Sequence, residues 1–406
     1  GERHSLDIRE VVDLLRLGKQ YIDHSIATNK REDDLYHAYN LIDLRDPDAV
    51  SIRRLYEMLE GQVAVLSAGY LSWEASVALL DSLRKSALYR EDQSSYLLYP
   101  NRDLARFADK NRIPEKLIKD AGLAEGNSVL GNRNIFVKDA AGNWHFNRNL
   151  RNARLLKEAL AEIKHHTPEM SDREIERTLE IYEAVFDHQS FTGRSGTFYK
   201  YEGLGSIYWH MVSKLLLAVQ DTFYRALDAQ ADPAMLEALK AHYYEIRAGI
   251  GIHKSPELYG AFTTDAYSHT PENSGAQQPG MTGQVKEDIL SRFGEFGVVV
   301  RGSKIQFHPA LLKPAEFLSK PQVFEYYDVH NAQQSLALNP AMLAFTICQV
   351  PVVVQLGKEN KVLVTLQAGG EIETEGLEIE AALSKSIFNR DGTVAKVEVR
   401  IASHAQ

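Results

Sequence analysis

The spacing of apolar side chains changes near residue 297, and this change constrains the fold of the chain more than any other feature. Upstream, apolar residues recur with a period of 3.6, which indicates amphipathic helices. Downstream, short alternating runs are rich in β-branched residues, which indicates strands. The sequence therefore predicts a mainly α protein with a C-terminal β domain, divided into a helical domain over residues 1–295 and a β domain over residues 296–406.

Helical spacing and strand-like alternation each occur in seven segments. Ser171 and Glu174 form a capping-box pattern, and Pro233 stands at a first-turn position. Helices in hairpin pairs would build an (α/α)6-toroid-like region, and seven short strands would build a β-sandwich. The predicted helices are 6–27, 48–60, 73–87, 149–164, 171–186, 206–227 and 233–247. The predicted strands are 298–301, 304–308, 323–329, 350–356, 361–366, 377–383 and 395–401.

Charge and composition restrict the partners of this chain. The net charge of −9 comes without a cluster of Lys and Arg, so we expect no nucleic-acid binding. The single cysteine, Cys348, excludes an intrachain disulfide framework. We expect no membrane span, because the most apolar segment, 343–356, is short and interrupted by polar residues and Pro351. The chain starts with Gly-Glu-Arg, so we expect further domains of a longer protein.

The first candidate site is the glycine-punctuated segment 187–206 together with the helix start that follows it. Carboxylates, a guanidinium and aromatic rings are the mixture that sugars require, because hydroxyl edges need bidentate partners and CH faces stack on rings. Glu202 is the best-placed acid, although a carboxylate near a helix N-terminus also stabilises the helix dipole. His210 is either a substrate contact or a hydrogen-bonded residue beside the core. The candidate residues are Asp187, Arg194, Tyr199, Tyr201, Glu202, Trp209 and His210.

A second polar segment, 267–283, precedes another predicted helix. Its candidates are Tyr267, His269, Gln277 and Gln278, and its glycines would suit an oxyanion or sugar hydroxyls near a helix N-terminus. An ordered surface loop is the alternative interpretation. Histidines with nearby acids are also compatible with a metal site. No HExxH spacing occurs, however, so we expect neither a metal nor a cofactor.

A third region, 126–146, has the pattern of a hairpin with a polar tip. Asp139 and Trp144 are positioned in it so that they could reach over a cleft. The alternative is a structural insertion in which Asp and Asn side chains make the turn. We favour the insertion.

The segment Gly297-Val-Val-Val-Arg-Gly-Ser-Lys-Ile-Gln-Phe-His-Pro-Ala-Leu-Leu312 resembles the strand pair that follows the last toroid helices in (α/α)6-toroid carbohydrate enzymes. The resemblance covers about residues 187–370. It is nearest to the maltose and kojibiose phosphorylases and more distant to the cellobiose phosphorylases. It implies a toroid followed by a β-sandwich, and an enzyme that cleaves a glycosidic bond in an oligo- or polysaccharide.

Position by position, Ser206 and His210 match a Ser and a His that the family has at the same separation. Glu202 falls near the segment that supplies serine hydroxyls to phosphate in the phosphorylases, and those paired serines are absent here. Gln277 stands in place of a phosphate-contacting histidine. The resemblance therefore favours inverting hydrolysis with Glu202 as the base. Asp187 and Asp139 are the candidates for the acid, whereas the resemblance implies an acid from earlier in the toroid. Phosphorolysis stays the first alternative.

Two further alternatives belong to other classes of protein. A polysaccharide lyase would use Tyr267 and His269 to remove a proton next to a uronate carboxylate. A non-catalytic carbohydrate-binding fragment would keep ligand contacts at Trp209, Tyr201 and Arg194 without a functional acid pair.

Overall fold

Packing divides the chain into two compact units, Gly1–Thr282 and Gly283–Gln406. The computed structural model describes residues 5–44, 48–101, 105–123, 128–168, 170–186, 207–250, 269–270 and 284–402. The helix that follows residue 283 belongs to the second unit, whereas the sequence pattern assigns it to the helical domain.

The described part of the first unit is mainly helical. Its helices are α1 (Ile8–Thr28), α2 (Leu59–Ser67), α3 (Trp73–Lys85), α4 (Phe107–Lys110), α5 (Glu115–Asp120), α6 (Ala153–His166), α7 (Asp172–Phe186), α8 (Trp209–Asp228) and α9 (Pro233–Ala248). Four two-stranded antiparallel ladders join β1 (Asn40–Asp43) to β2 (Ser51–Arg54), β3 (Tyr89–Arg90) to β4 (Ser95–Tyr96), β5 (Phe136–Lys138) to β6 (Trp144–Phe146), and β7 (Ile207–Tyr208) to β8 (His269–Thr270).

Helix α8 lies at the centre of one part of this unit. It packs against α2 and α9, and its apolar residues Leu215, Val219 and Phe223 are almost fully buried. The guanidinium of Arg225 donates to the carbonyl oxygen of Leu66 at 2.9 Å, which satisfies one of the last carbonyls of α2. This packing holds the N-terminal end of α8, where His210 lies, on a rigid element.

A second apolar cluster of the first unit is built from one continuous stretch of chain. All its buried members lie between Ile113 and Phe186, on α5, the β5–β6 hairpin, α6, α7 and the segments that flank and connect them. Tyr182 is fully buried, and its hydroxyl donates to the carbonyl oxygen of Leu150 at 2.9 Å. A core drawn from consecutive elements shows that this stretch of chain packs on itself.

The second unit contains two α-helices and ten strands in its described residues. The helices are α10 (Gln284–Glu295) and α11 (Ala381–Asn389). The strands are β9 (Val298–Arg301), β10 (Lys304–Phe307), β11 (Gln322–Tyr327), β12 (Gln333–Leu338), β13 (Met342–Ile347), β14 (Val350–Gly357), β15 (Lys361–Leu366), β16 (Glu371–Glu375), β17 (Glu378–Ile379) and β18 (Val394–Ala402). They form sheets in the orders β17-β10-β9, β11-β12 and β13-β14-β18-β15-β16, in which only β14 and β18 run parallel.

One apolar core joins the sheet β17-β10-β9 to the sheet β13-β14-β18-β15-β16. Alternate residues of the central strands, such as Val352, Val364 and Val397, point into it together with Ile387 of α11. Ser384 is fully buried there because its hydroxyl accepts from the Ile305 N–H at 3.0 Å and donates to a carbonyl of β17. The described residues of this unit do not define a sandwich, and those of the first unit do not define a toroid. Both architectures remain predictions.

Most of the predicted elements are confirmed, but two are wrong. The segment 48–60 is not a helix, because Ile52 of β2 pairs with Ile42 of β1 and this pairing overrides the local spacing. The segment 377–383 is not one strand, because β17 ends at Ile379 and α11 begins at Ala381. The alternation of Leu377 and Ile379 with polar residues is typical of a strand. The residues that follow are helical, and Ile387 lies on the buried face of that helix.

The described helices include none that combines the length and the apolarity that crossing a membrane requires.

Candidate functional site

Most of the residues predicted for the site lie outside the described residues. The structure describes His269 through its backbone, and Trp209 and His210 in full. The candidates outside the described residues are Asp187, Arg194, Tyr199, Tyr201, Glu202, Tyr267, Gln277 and Gln278.

The β7–β8 ladder connects the two candidate loops. Ile207 pairs with Thr270 and Tyr208 pairs with His269, in antiparallel register. Strand β7 directly follows the first loop, and β8 lies within the second. Two segments that are far apart in sequence therefore meet at the N-terminal end of α8, and this meeting point is the candidate site.

Trp209 anchors the start of α8. Its side chain is fully buried, so it packs in the core, and its role as a substrate contact stays a prediction. Ile207 and Met211 are also buried, and they continue the apolar face of the helix. The burial of Trp209 fixes the direction in which the chain turns from β7 into α8.

Tyr208 and His210 flank this buried anchor, and both are half-buried. The phenol oxygen of Tyr208 lies 3.3 Å from Nδ1 of His210, within hydrogen-bonding distance. Their rings meet edge to face, with centroids 5.8 Å apart and an interplanar angle of 85°. His210 therefore contacts Tyr208 at the margin of the core, and it lies in the first turn of α8.

The hairpin at β5–β6 has the turn chemistry that the sequence predicts. One carboxyl oxygen of Asp139 accepts from the Ala141 and Asn143 N–H groups at 2.9 and 2.8 Å. The other accepts from the Asn143 amide at 2.9 Å and lies 3.1 Å from Nε2 of His145. Asp139 and its neighbours thus close the tip of the hairpin.

These contacts decide the role of Asp139. The amide of Asn143, and next the ring of His145, hold the pKa of Asp139 well below the ordinary range of a carboxyl group. A general acid must carry a proton near neutral pH, whereas these contacts favour the ionised carboxylate, which argues against Asp139 in that role. Trp144 is half-buried against Phe136, and Lys138 lies over its ring, which makes it part of the hairpin packing as well.

Tyr208 is the residue that sequence reasoning missed. It stands inside the quoted motif Ile207-Tyr208-Trp209-His210 but was not singled out. The signal was available in the alternation of the segment: if Trp209 is core, then its two neighbours project away from the core and lie near each other.

One comparison with known proteins identifies part of the chain. Residues 104–189 match the family model described as GH149 phosphorylase insertion domain 2. The matched range contains the whole apolar cluster from Ile113 to Phe186. No curated protein matches the chain. The match relates the chain to a carbohydrate-active family of glycoside phosphorylases, and it points to a saccharide as the substrate. It does not distinguish the maltose phosphorylases from the cellobiose phosphorylases.

Proposed function

We propose that this protein is a glycoside phosphorylase, which cleaves a glycosidic bond of an oligosaccharide with orthophosphate. The observation that carries the proposal is the match of residues 104–189 to a phosphorylase insertion domain. Those residues fold around a continuous core of their own, as an inserted unit would. The proposed architecture is the (α/α)6-toroid-like region with a C-terminal β-sandwich.

The proposed phosphate site lies where β7 leads into α8. The first turn of a helix has N–H groups without intrahelical acceptors, and its dipole favours an anion. His210 lies in this turn, and the β7–β8 ladder brings the segment around His269 to the same place. Arg194, Tyr199, Tyr201, Gln277 and Gln278 remain the candidates for the sugar and for phosphate.

The proposed reaction needs one proton and one nucleophile. An oxygen of orthophosphate forms a bond to the anomeric carbon, and the bond between that carbon and the glycosidic oxygen breaks with its electron pair. A carboxylic acid gives its proton to the departing oxygen. Asp187 is the proposed acid, because the contacts of Asp139 favour the ionised form of that other candidate.

Inverting hydrolysis is the second candidate function, and one sequence observation favours it. The paired serines that hold phosphate in the related phosphorylases are absent near Glu202. In a hydrolase of this type, Glu202 would remove a proton from the attacking water. The two candidates therefore differ in the nucleophile and in whether a base is needed.

Product analysis with and without orthophosphate tests the proposal. The protein is incubated with a panel of oligosaccharides, and the products are identified by mass spectrometry. Phosphorolysis predicts sugar phosphates that form only when phosphate is present. Free sugars in both reactions would establish hydrolysis instead, unsaturated products would establish a lyase, and binding without products would establish a binding protein.

The variant Glu202→Gln distinguishes hydrolysis, in which water attacks, from phosphorolysis, in which phosphate attacks. A hydrolase that loses its base slows by about a hundredfold to ten-thousandfold. Phosphate at neutral pH is already an anion, so phosphorolysis is expected to slow by less than about tenfold. Glu237→Gln, at an exposed position of α9, is the matched control for the loss of one carboxylate.

A further inference from the structure

Helix α1 leaves its apolar side chains exposed. It has 21 residues and none of them is buried, although its sequence is amphipathic. A folded protein usually packs the apolar face of such a helix against its core. The part of the chain that the structure describes therefore does not cover the apolar surface of α1. The exposed large apolar residues of α1 are Ile8, Val12, Leu14, Leu15, Leu17, Tyr21 and Ile22.

Three of these residues recur at the interval of a coiled-coil seam. Ile8, Leu15 and Ile22 are seven residues apart, so they lie on one face of α1. Leu14 precedes Leu15 and flanks this face. Leu17, in contrast, lies about 160° from Leu15 around the helix axis. A face with this spacing has the pattern that packs against the same face of another helix.

The β1–β2 hairpin presents a second apolar face next to α1. Ile42 pairs with Ile52 across the ladder, and both side chains are exposed. Two residues beyond Ile52, the guanidinium of Arg54 donates to the carbonyl oxygen of Thr28 at 2.8 Å. This bond attaches the hairpin to the last turn of α1. The exposed apolar residues of the hairpin are Ile42, Leu44, Val50 and Ile52.

The exposed area matches what a stable homodimer buries. Nine side chains of the two faces are each 58% to 71% exposed. At on the order of 100 Å² for each side chain, they expose roughly 600 Å² of apolar surface. Homodimer interfaces are about 65% apolar, so a contact over this surface would bury about 900 Å² of each copy, against about 800 Å² in a standard interface. The nine are Ile8, Leu14, Leu15, Tyr21 and Ile22 of α1 and the four hairpin residues.

The charges of α1 allow two copies to meet there. The chain as a whole carries a net charge of −9, which opposes self-association. Within α1, however, three cations balance three acids, and Lys19 pairs with Asp23 on the helix itself. A second α1 therefore brings no excess charge to the contact. The charged residues are Arg9, Glu10, Asp13, Arg16, Lys19 and Asp23.

We propose that two copies of this chain associate through α1 and the β1–β2 hairpin, about a two-fold axis. The two helices pack antiparallel, so that Leu15 meets Leu15 of the second copy and Ile8 meets its Ile22. Antiparallel packing pairs opposite ends of the helix dipoles. It also places the hairpin, which lies at the C-terminal end of its own α1, beside the N-terminal half of the other helix. A two-fold contact of this kind closes the assembly as a dimer. The proposal goes beyond the proposed function and does not depend on it.

Sedimentation equilibrium of the intact chain tests the association. We expect a mass twice that of one chain at micromolar concentrations. Leu15→Lys places two like charges at the axis and should raise the Kd of the dimer by about a hundredfold or more. Leu17→Lys is the matched control, because it adds the same charge on the other side of α1, and it should leave the mass unchanged. A monomeric wild-type protein, or equal dissociation of both variants, would overturn the proposal.

Cysteine crosslinking tests the antiparallel arrangement. In a Cys348→Ser background, Leu15→Cys should form a disulfide between two copies on mild oxidation, whereas Leu17→Cys should not. Ile8→Cys and Ile22→Cys should each fail to crosslink alone and should crosslink to each other when the two variants are mixed. Non-reducing electrophoresis measures all four. Crosslinking of Ile8→Cys to itself would show parallel helices and contradict the arrangement, and no crosslink at Leu15→Cys would contradict the axis.

Discussion

Tyr208 lies directly opposite His269 in the antiparallel ladder between β7 and β8, although the two residues belong to different candidate loops. Opposed residues of such a ladder have Cα atoms about 4.5 to 5.5 Å apart. This relationship makes one site out of two segments that sequence analysis treated separately, and it can be tested in solution.

A disulfide across the ladder is the direct test of this meeting point. In a Cys348→Ser background, the pair Tyr208→Cys and His269→Cys should form a disulfide on mild oxidation, because the expected Cα separation lies within the range of about 4.4 to 6.8 Å that disulfides adopt. Peptide mapping by mass spectrometry detects it. The pair Ile207→Cys and His269→Cys is the control, since neighbouring strand residues point to opposite faces. Equal crosslinking of both pairs would show that the register is wrong.

Trp209 is expected to contribute to stability and not to sugar binding. Because its side chain is fully buried, Trp209→Ala should lower the free energy of unfolding of the first unit by about 3 to 5 kcal/mol. Trp209→Phe, which fills most of the space, should cost less. Urea unfolding followed by fluorescence and circular dichroism measures both. A stable Trp209→Ala protein with weakened oligosaccharide binding would instead identify Trp209 as a substrate contact.

Because of Asp139, we expect the stability of the protein to depend on pH in the acid range. Its folded-state pKa is lowered by the Asn143 amide and then by His145. A carboxyl group whose pKa is lower in the folded state stabilises the fold when the pH is above its unfolded-state pKa of about 3.9. This contribution is lost as the pH falls from about 3.9 towards the folded-state pKa.

We therefore expect the wild-type protein to melt at a higher temperature than Asp139→Asn at pH 6, and the difference to shrink between about pH 4 and pH 2. Thermal melts over this range measure it. Asp109→Asn, at an exposed position of α4, controls for the loss of one negative charge. A difference that stays constant with pH would show that the ionised form of Asp139 adds nothing to stability.

Replacing Gly297 or Gly302 by alanine should lower the unfolding free energy by different amounts. Both have a positive φ, of 75° and 54°, so alanine is strained by about 1 to 2 kcal/mol at either position. A Cβ on Gly297 would also lie 2.1 Å from the carbonyl carbon of His308, whereas nothing lies within 4 Å of one on Gly302. Gly297→Ala should therefore lower the unfolding free energy of the second unit clearly more than Gly302→Ala. Chemical denaturation compares them, and equal costs would refute the close approach.

Long amphipathic helices were the part of the fold that the sequence predicted best. The helix predicted over 73–87 is observed as Trp73–Lys85, because an apolar stripe of several turns leaves little ambiguity. The short strand Ser51–Arg54 was missed, since its pairing with Asn40–Asp43 depends on contacts that a local pattern does not contain. The same reason explains the site: the spacing of His210 was visible, but its proximity to the segment around His269 arises only from the ladder.

Phosphorus NMR of the reaction mixture tests the central claim most directly. The intact protein is incubated with the oligosaccharide that it shortens, and orthophosphate is followed over time. Phosphorolysis predicts that the orthophosphate signal decreases by one equivalent for each glycosidic bond cleaved, and that a sugar phosphate ester signal grows in its place. An unchanged orthophosphate signal while the oligosaccharide shortens would contradict the claim and assign the protein to the hydrolases.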